Sequence, residues 1–359
     1  DVIKIEMPEV LAAGGQMGGA REGSDFQNLH RNKRSLSLNL KSDEGREIFM
    51  KLAETADVIV ENFRPGVKHR LGIDYEALSA ANPGLIYASI SGFGQDGPYA
   101  SRPGFDQVAQ GMGGLMSITG LPGQGPVRTG IPIADLTAGL FAAQGILVAL
   151  LEREKSGKGQ WLHTSLLQAQ IFMLDFQSAR WLIDGEVPQQ AGNNHPTSIP
   201  TGVFETADGQ INISVTGRDI WQRFCTALGL DDLFDQPDFS TEENRSANRD
   251  DLNARITAVT KTETSAQWID ALNTAGVPCG PINSIDQTFA DPQVRHLKVT
   301  GRVSSKALGD MEMAAQPFVL ERTPSKLVVA PPECGEHSDE VLTELGYSAA
   351  DIAGLRERQ

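Results

Sequence analysis

The amino-acid sequence predicts an α/β protein with a large domain built on a mostly parallel sheet and a smaller α+β domain. Three observations carry this. Short runs of β-branched residues alternate with segments of helical period, the pattern of parallel strands joined by helices. A stretch rich in Pro, Gly and Asn, GEVPQQAGNNHPTSIPTG (185–202), interrupts that pattern and reads as a linker. A chain of 359 residues with 40% apolar content is long for one domain and can bury two cores.

The elements follow in order. VIKIE (2–6) alternates in the manner of a strand, and 12–23 is a Gly-rich loop whose Gly14, Gly15, Gly18 and Gly19 do not make the GxGxxG spacing, so flexibility is expected there rather than a phosphate cradle. A helical pattern covers 42–53, and short apolar strands are expected at 57–62 and 85–91. The run 140–151 is broken by Gln144 and Gly145 and falls short of the roughly 20 residues that span a bilayer, so it is expected to be a core helix. Residues 160–184 read as helical, with Leu166, Leu167, Ile171, Leu174 and Trp181 spaced for a buried face. After the linker, GVFETADGQINISV is a hairpin turning at Asp208-Gly209. Helices are expected at 220–228, 249–259 and 265–275, then short strands and a last helix at 349–357. No internal repeat is visible.

The net charge of −15 argues against a general nucleic-acid or anionic-membrane surface, because such partners need clustered Lys and Arg. Cys225, Cys279 and Cys334 are odd in number and far apart, which predicts reduced thiols in a cytoplasmic protein. The six histidines form no HxxxH or HxxH pair and no cluster has metal-ligand spacing, so no metal is expected. No basic segment followed by an apolar one opens the sequence shown, so no secretory signal is read there.

Asp135 is the most informative residue. It stands where GIPIADLTAGL turns from a Pro-bearing loop into a long apolar helix. Taken alone it is a helix cap. The small residues behind it, Ala138, Gly139, Ala142, Ala143 and Gly145, allow close helix packing or the approach of a large ligand. Facing the positive end of the helix, its carboxylate is expected to stay ionised and fixed in direction, as a nucleophile would be held. Arg31, Lys33, Arg34 and Lys41 make a local basic cluster in an acidic chain. In Glu61-Asn62-Phe63-Arg64-Pro65-Gly66 a strand ends in a Pro-Gly turn, the place where open α/β sheets bind ligands. Phe105-Asp106, the glycines Gly111, Gly113 and Gly114, and the linker residues Asn193, Asn194 and His195 complete the candidates; His195, before Pro196, reads as structural.

The segment 130–160 resembles the active-site region of the family III (CaiB/BaiF-type) CoA-transferases, with Asp135 on the position of the catalytic aspartate. Further matches run in order through VIKIE (2–6), NKRSLSLNLKSDEGR (32–46), ADVIVENFRPGVKHRLGIDYEAL (56–78), NPGLIYASISGFGQDGPY (82–99), RPGFDQVAQGMGGLM (102–116), GVFETADGQINI (202–213), VPCGPINSIDQTFADPQV (277–294) and PPECGEHSDEVLTELGY (331–347). The resemblance implies a Rossmann-like large domain in two pieces, 1–190 and 296–359, around a small domain with its linker at 191–295, and an interlocked homodimer.

It also implies coenzyme A contacts at Lys4, Leu38, Lys41, Asn62, Phe63, Arg64 and Arg70, and an acyl pocket near Phe105 and Asp106. CoA is a substrate here, with a small carboxylic acid as the other, and no cofactor is implied. The reaction implied moves CoA from an acyl-CoA to a free acid through an aspartyl-CoA thioester on Asp135. Succinyl-CoA with a dicarboxylate acceptor fits the family's habits. Members usually begin with a further strand and helix that touch CoA, whereas this sequence opens after them, and Thr201 stands where Tyr is common.

Two rivals share the superfamily: an acyl-CoA racemase and a CoA-binding homologue without turnover. Racemisation needs two titratable groups on opposite faces of a carbon, and Phe105 stands where racemases place a His, which disfavours it. A nicotinamide oxidoreductase would use Glu6 on a ribose, but no GxGxxG precedes it.

Overall fold

The computed structural model describes residues 1–8 and 20–358, so the glycine-rich run from Gly14 to Gly19 lies outside the described residues. The chain divides into two compact units. The first comprises 1–105, 136–169 and 289–359. In it β1 (Ile3–Glu6) and β2 (Arg34–Ser37) pair in parallel, and a separate parallel sheet of order β3-β4-β5 is made by Val58–Glu61, Ile86–Ser91 and Trp161–Ser165. Parallel pairing is thus present, but in two sheets. The helix Asp43–Thr55 joins β2 to β3, and its first turn is set by Ser42, whose Oγ accepts the Gly45 N–H at 3.1 Å.

Segment 160–184 departs from the helical expectation. Trp161–Ser165 is β5, paired in register with Tyr87–Ser91. The β-branched and aromatic character of Trp-Leu-His-Thr-Ser suits a strand, and the partner that decides the matter lies some seventy residues upstream. Helices Leu166–Phe172 and Phe176–Asp184 follow.

The C-terminal segment packs into the core of the first unit. Val341, Leu342, Ile352 and Leu355, on helices Ser338–Glu344 and Ala349–Arg358, join Leu36, Ile48, Leu78 and Tyr87 in one buried cluster. Before it, β9 (Thr300–Ser305) and β10 (Gly309–Ala314) form an antiparallel hairpin.

The second unit comprises 106–135 and 170–288. Its antiparallel sheet has the order β6-β7-β8, from Thr201–Glu205, Gln210–Ser214 and Cys279–Pro281. The hairpin at Asp208-Gly209 forms as the sequence predicts, with Glu205 opposite Gln210. Trp221, Phe224, Phe239, Ile256 and Leu272 fill the core beneath it. The boundaries differ from the sequence expectation of 1–190 and 191–295, because 106–135 and 170–190 cluster with this unit. The reason is local bonding: Gly192 N donates to Gly120 O at 3.2 Å, and Gln190 Nε2 to Thr119 O at 2.7 Å.

The helix Ile133–Ser156 is not the core helix that its apolar run predicts. Ala134, Ala138, Ala142 and Ala149 are buried, but Leu140, Leu147, Val148 and Leu151 are 68%, 61%, 62% and 69% exposed. Only a narrow stripe of small residues is covered. By length and composition it is also, among the described residues, one helix long and apolar enough to cross a membrane.

Candidate active site

Each unit holds one group of candidate residues. In the first, a cavity of about 470 Å³ opens at the carboxyl ends of the parallel pair β1 and β2 and of β3 from the other sheet, the kind of position where open α/β sheets take ligands. Ile5, Glu6 and Met7 come from the end of β1, Leu38 to Lys41 from beyond β2, and Phe63 from beyond β3; Arg46, Val67, Arg70 and Leu71 are added by the two following helices. Leu38 is buried within the neighbouring core, and Phe63 packs against that core. The apolar walls suit a flat heterocycle, and the exposed Lys41 and Arg70 with Arg46 supply cations for an anion.

Glu6 does not cancel those cations, since its carboxylate is already engaged. Burial would raise its pKa, but Lys4, Ser35 Oγ at 2.9 Å and Arg21 Nη2 at 2.9 Å outweigh burial and hold the carboxyl below its usual range. His30 beside them is driven down to about 4 by burial and the charge of Lys4, and stays neutral at physiological pH.

Of the coenzyme A contacts implied by resemblance, the fold brings Leu38, Lys41, Phe63 and Arg70 to this cavity. Lys4, Asn62 and Arg64 lie outside its lining; Lys4 is tied to Glu6, and Asn62 and Arg64 are exposed beside the start of the helix Pro65–Leu71. Arg46 was not singled out from sequence, although it sits in the same 32–46 motif. The basic cluster does not act as one group. Arg34 is bound to Glu340 at 2.7 Å and Glu344 at 2.8 Å, Lys33 Nζ donates to Leu29 O at 2.7 Å and Arg31 donates to Asn28 O. Lys41 alone of the four lines the cavity.

Two glycines prepare the approach to Phe105. A Cβ on either Gly92 or Gly104 would come within 2.7 Å of the other's Cα, so the loop between them closes backbone on backbone. Phe105 follows directly and is 60% exposed.

In the second unit, Asp106 opens the helix Asp106–Met112, and its carboxylate is spent on the protein rather than presented to a ligand. Oδ1 accepts the N–H of Ala134 at 2.9 Å, and Oδ2 accepts Gln110 Nε2 at 2.7 Å and lies 3.4 Å from Arg128 Nη2. Gln110, one turn along and fully buried, donates also to Ile131 O at 3.2 Å, while its Oε1 accepts the Thr129 N–H and hydroxyl, each at 3.1 Å. Together Asp106 and Gln110 clasp the segment that leads into the Asp135 helix. Gln110 gave no signal in sequence, because an isolated Gln in a helix has no motif.

The helix N–H that a cap would satisfy is therefore taken by Asp106, and Asp135 itself, third in the helix, is exposed. Its carboxylate makes no hydrogen bond among the described residues. The protein crowded around it, and secondarily the charge of Asp106, push its pKa above the usual range. The N–H nearest the helix start is thus already engaged by a neighbouring anion.

Gly113 has a packing role, since a Cβ there would fall 2.5 Å from Gln170 Cγ. His195 Nδ1 accepts the N–H of Ser198 at 2.9 Å and of Thr197 at 3.2 Å, and its ring stacks on Phe176, an arrangement that shapes the linker. Cys225 is buried with its thiol pushed up to about 12, and Cys279 up to about 11, both by burial, so neither is a nucleophile near neutral pH.

An α/β unit with an apolar-walled, cation-lined cavity at its strand ends suits a ligand that carries both a heterocycle and phosphates. The family model for CoA-transferase family III matches residues 1–338, and the chain belongs to that family. It is 37% identical to a succinate–glutarate CoA-transferase of Agrobacterium fabrum, over 96% of this chain and 88% of that one. It is 34% identical to a succinyl-CoA:mesaconate CoA-transferase of Haloarcula marismortui, over 96% and 89%. Among solved structures, a CaiB/BaiF family protein from Brucella suis superposes with a TM-score of 0.81 at 35% identity, covering 96% of this chain and 92% of that one. The protein is a CoA-transferase.

Proposed function

We propose that the protein moves coenzyme A from a dicarboxylic acyl-CoA, with succinyl-CoA as the first candidate, to a second free dicarboxylic acid, and that Asp135 is the covalent nucleophile. The observation that carries this is the release of Asp135 from capping. With Asp106 on the Ala134 N–H, the Asp135 carboxylate is exposed at the first turn of its helix and makes no hydrogen bond among the described residues. The relatives named above supply the substrate class.

The chemistry needs no cofactor. The Asp135 carboxylate attacks the donor thioester carbonyl and the CoA thiolate leaves, giving a mixed anhydride. The thiolate then attacks the aspartyl carbonyl of the anhydride, releasing the donor acid and leaving an aspartyl-CoA thioester. The acceptor carboxylate attacks that thioester and expels the thiolate. Finally the thiolate attacks the acceptor's acyl carbon, which yields the new acyl-CoA and restores the Asp135 carboxylate. The raised pKa strengthens the carboxylate as a nucleophile once it is ionised.

The body of CoA is assigned to the cavity in the first unit, with Lys41, Arg46 and Arg70 toward its phosphates and Phe63 toward its adenine. A second copy of the chain is proposed to cover the exposed leucines of the helix Ile133–Ser156, so that the protein works as a homodimer in the cytoplasm. The test of the reaction is incubation with succinyl-CoA alone and then with glutarate or mesaconate. Mass spectrometry is expected to show a CoA adduct on Asp135, trapped by hydroxylamine as a hydroxamate, and then the new acyl-CoA. Exchange of the α-proton in deuterated water without any acceptor acid would instead favour a racemase.

A further inference from the structure

Lys68, on the helix Pro65–Leu71, is only 2% exposed, an uncommon place for an ammonium. Its Nζ lies 3.2 Å from Glu61 Oε1 and 3.1 Å from Ser89 Oγ, bonds Gln95 Oε1, and sits 4.9 Å from the centroid of the Trp161 ring. Trp161 Nε1 donates to the same Ser89 Oγ at 3.0 Å. One cation thus ties together β3, β4, β5 and the loop closed by Gly92 and Gly104. The remaining oxygen of Glu61, Oε2, accepts the backbone N–H of Phe63 at 2.7 Å, and Phe63 is a wall of the cavity.

A buried ion pair is a poor source of stability, because desolvation of both charges offsets their attraction. What it does supply is direction. We propose that Lys68 is a positioning residue for the coenzyme A cavity: it orients the Glu61 carboxylate, which fixes the backbone at Phe63 and hence the aromatic wall. The ligand named here rests on the reading under Proposed function; the positioning of Phe63 does not.

Three variants separate positioning from general stability. Lys68→Met leaves Glu61 buried without its cation. Lys68→Met/Glu61→Gln removes both charges but keeps an oxygen for the Phe63 N–H, whereas Lys68→Met/Glu61→Ala removes both charges and the acceptor. Amide exchange at Phe63 is measured against that at Tyr87, which is fully buried in β4 and bonded to Gln160 O. CoA is the probe for affinity.

In Lys68→Met and in the acceptor-free, uncharged Ala double variant, Phe63 should exchange about tenfold faster relative to Tyr87, and CoA should bind about tenfold more weakly. Turnover at saturating acyl-CoA should stay within about threefold of wild type, since the nucleophile is untouched. The Gln double variant should recover both properties. If Lys68→Met does not fold, the two uncharged double variants still make the comparison. Parallel acceleration of Phe63 and Tyr87, or equal CoA affinity in the Gln and Ala double variants, would overturn the positioning role. Wild-type protein that fails to bind CoA would overturn the reading of the cavity, while faster Phe63 exchange in Lys68→Met that the Gln double variant restores would still support the positioning; a Phe63 response confined to the Ala double variant would overturn the role of Lys68.

Discussion

Replacing Asp106 with Ala removes the side chain that anchors the start of the Asp135 helix. Loss of the bond to the Ala134 N–H costs about 1 kcal/mol, as loss of a helix cap does. Gln110 keeps Ile131 O as an acceptor, so its amide is not stranded. The Arg128 pair is long at 3.4 Å, and the arginine side chain is 39% exposed, so it adds less than about 1 kcal/mol. With the emptied space, the sum is about 2 to 3 kcal/mol, which lowers the melting temperature by roughly 5 °C.

A second readout follows from charge. Asp106 helps raise the pKa of Asp135, after the larger effect of the protein atoms crowded around its solvent-reaching carboxyl, and only the ionised Asp135 attacks. A carboxyl whose folded pKa is raised contributes stability below its unfolded pKa and loses it as pH rises through the folded value. Removing the neighbouring anion relieves part of that loss at neutral pH and lowers the Asp135 pKa. The acid limb of kcat/KM should therefore move to lower pH even as the rate falls, by about 100-fold if the carboxylate is misplaced by an ångström. Transfer from succinyl-CoA to glutarate across pH 4 to 8 measures both. An unmoved acid limb together with a rate within twofold of wild type would refute the clasp.

Asp135→Asn should keep its melting temperature, because the cap bond belongs to Asp106, and should lose transfer by about a thousandfold or more, read as absence of the CoA adduct and of product acyl-CoA. Lys41→Ala and Arg70→Ala should each weaken CoA by about 1 to 3 kcal/mol in titration calorimetry, with little change in kcat. Glu6→Gln should flatten the acid side of the stability profile. The lowered pKa of Glu6 gives stability present above its ordinary value of 4.5 and lost as pH falls through the folded value, and thermal melts from pH 6 to 3 check it. Light scattering at micromolar concentration should give the mass of two chains, and a monomer would remove the second copy proposed for the exposed leucines.

Local features were legible because they depend on near neighbours. The alternation of strand and helix, the Asp208-Gly209 hairpin and the position of Asp135 at a helix start all follow from propensity and short-range geometry. Trp161–Ser165 was not legible as a strand, because helical and strand patterns overlap over five residues and β4 decides between them. The basic residues at 31–41 looked alike in sequence, yet Arg34 is claimed by acids more than three hundred residues away. The helix Ile133–Ser156 read as core, since composition records that leucines are apolar but not which of them the single chain covers.

The sequence by itself determined that this is an α/β chain of the CoA-transferase kind, and it marked Asp135, Leu38, Lys41, Phe63 and Arg70, because motif order and residue chemistry survive without coordinates. Only the tertiary structure decided that Asp106 caps the helix 28 positions later, that Gln110 completes the clasp, and that Lys68 lies buried behind the cavity wall. Those roles rest on hydrogen bonds about 3 Å long between segments distant in the chain, and such distances exist only once the chain has folded.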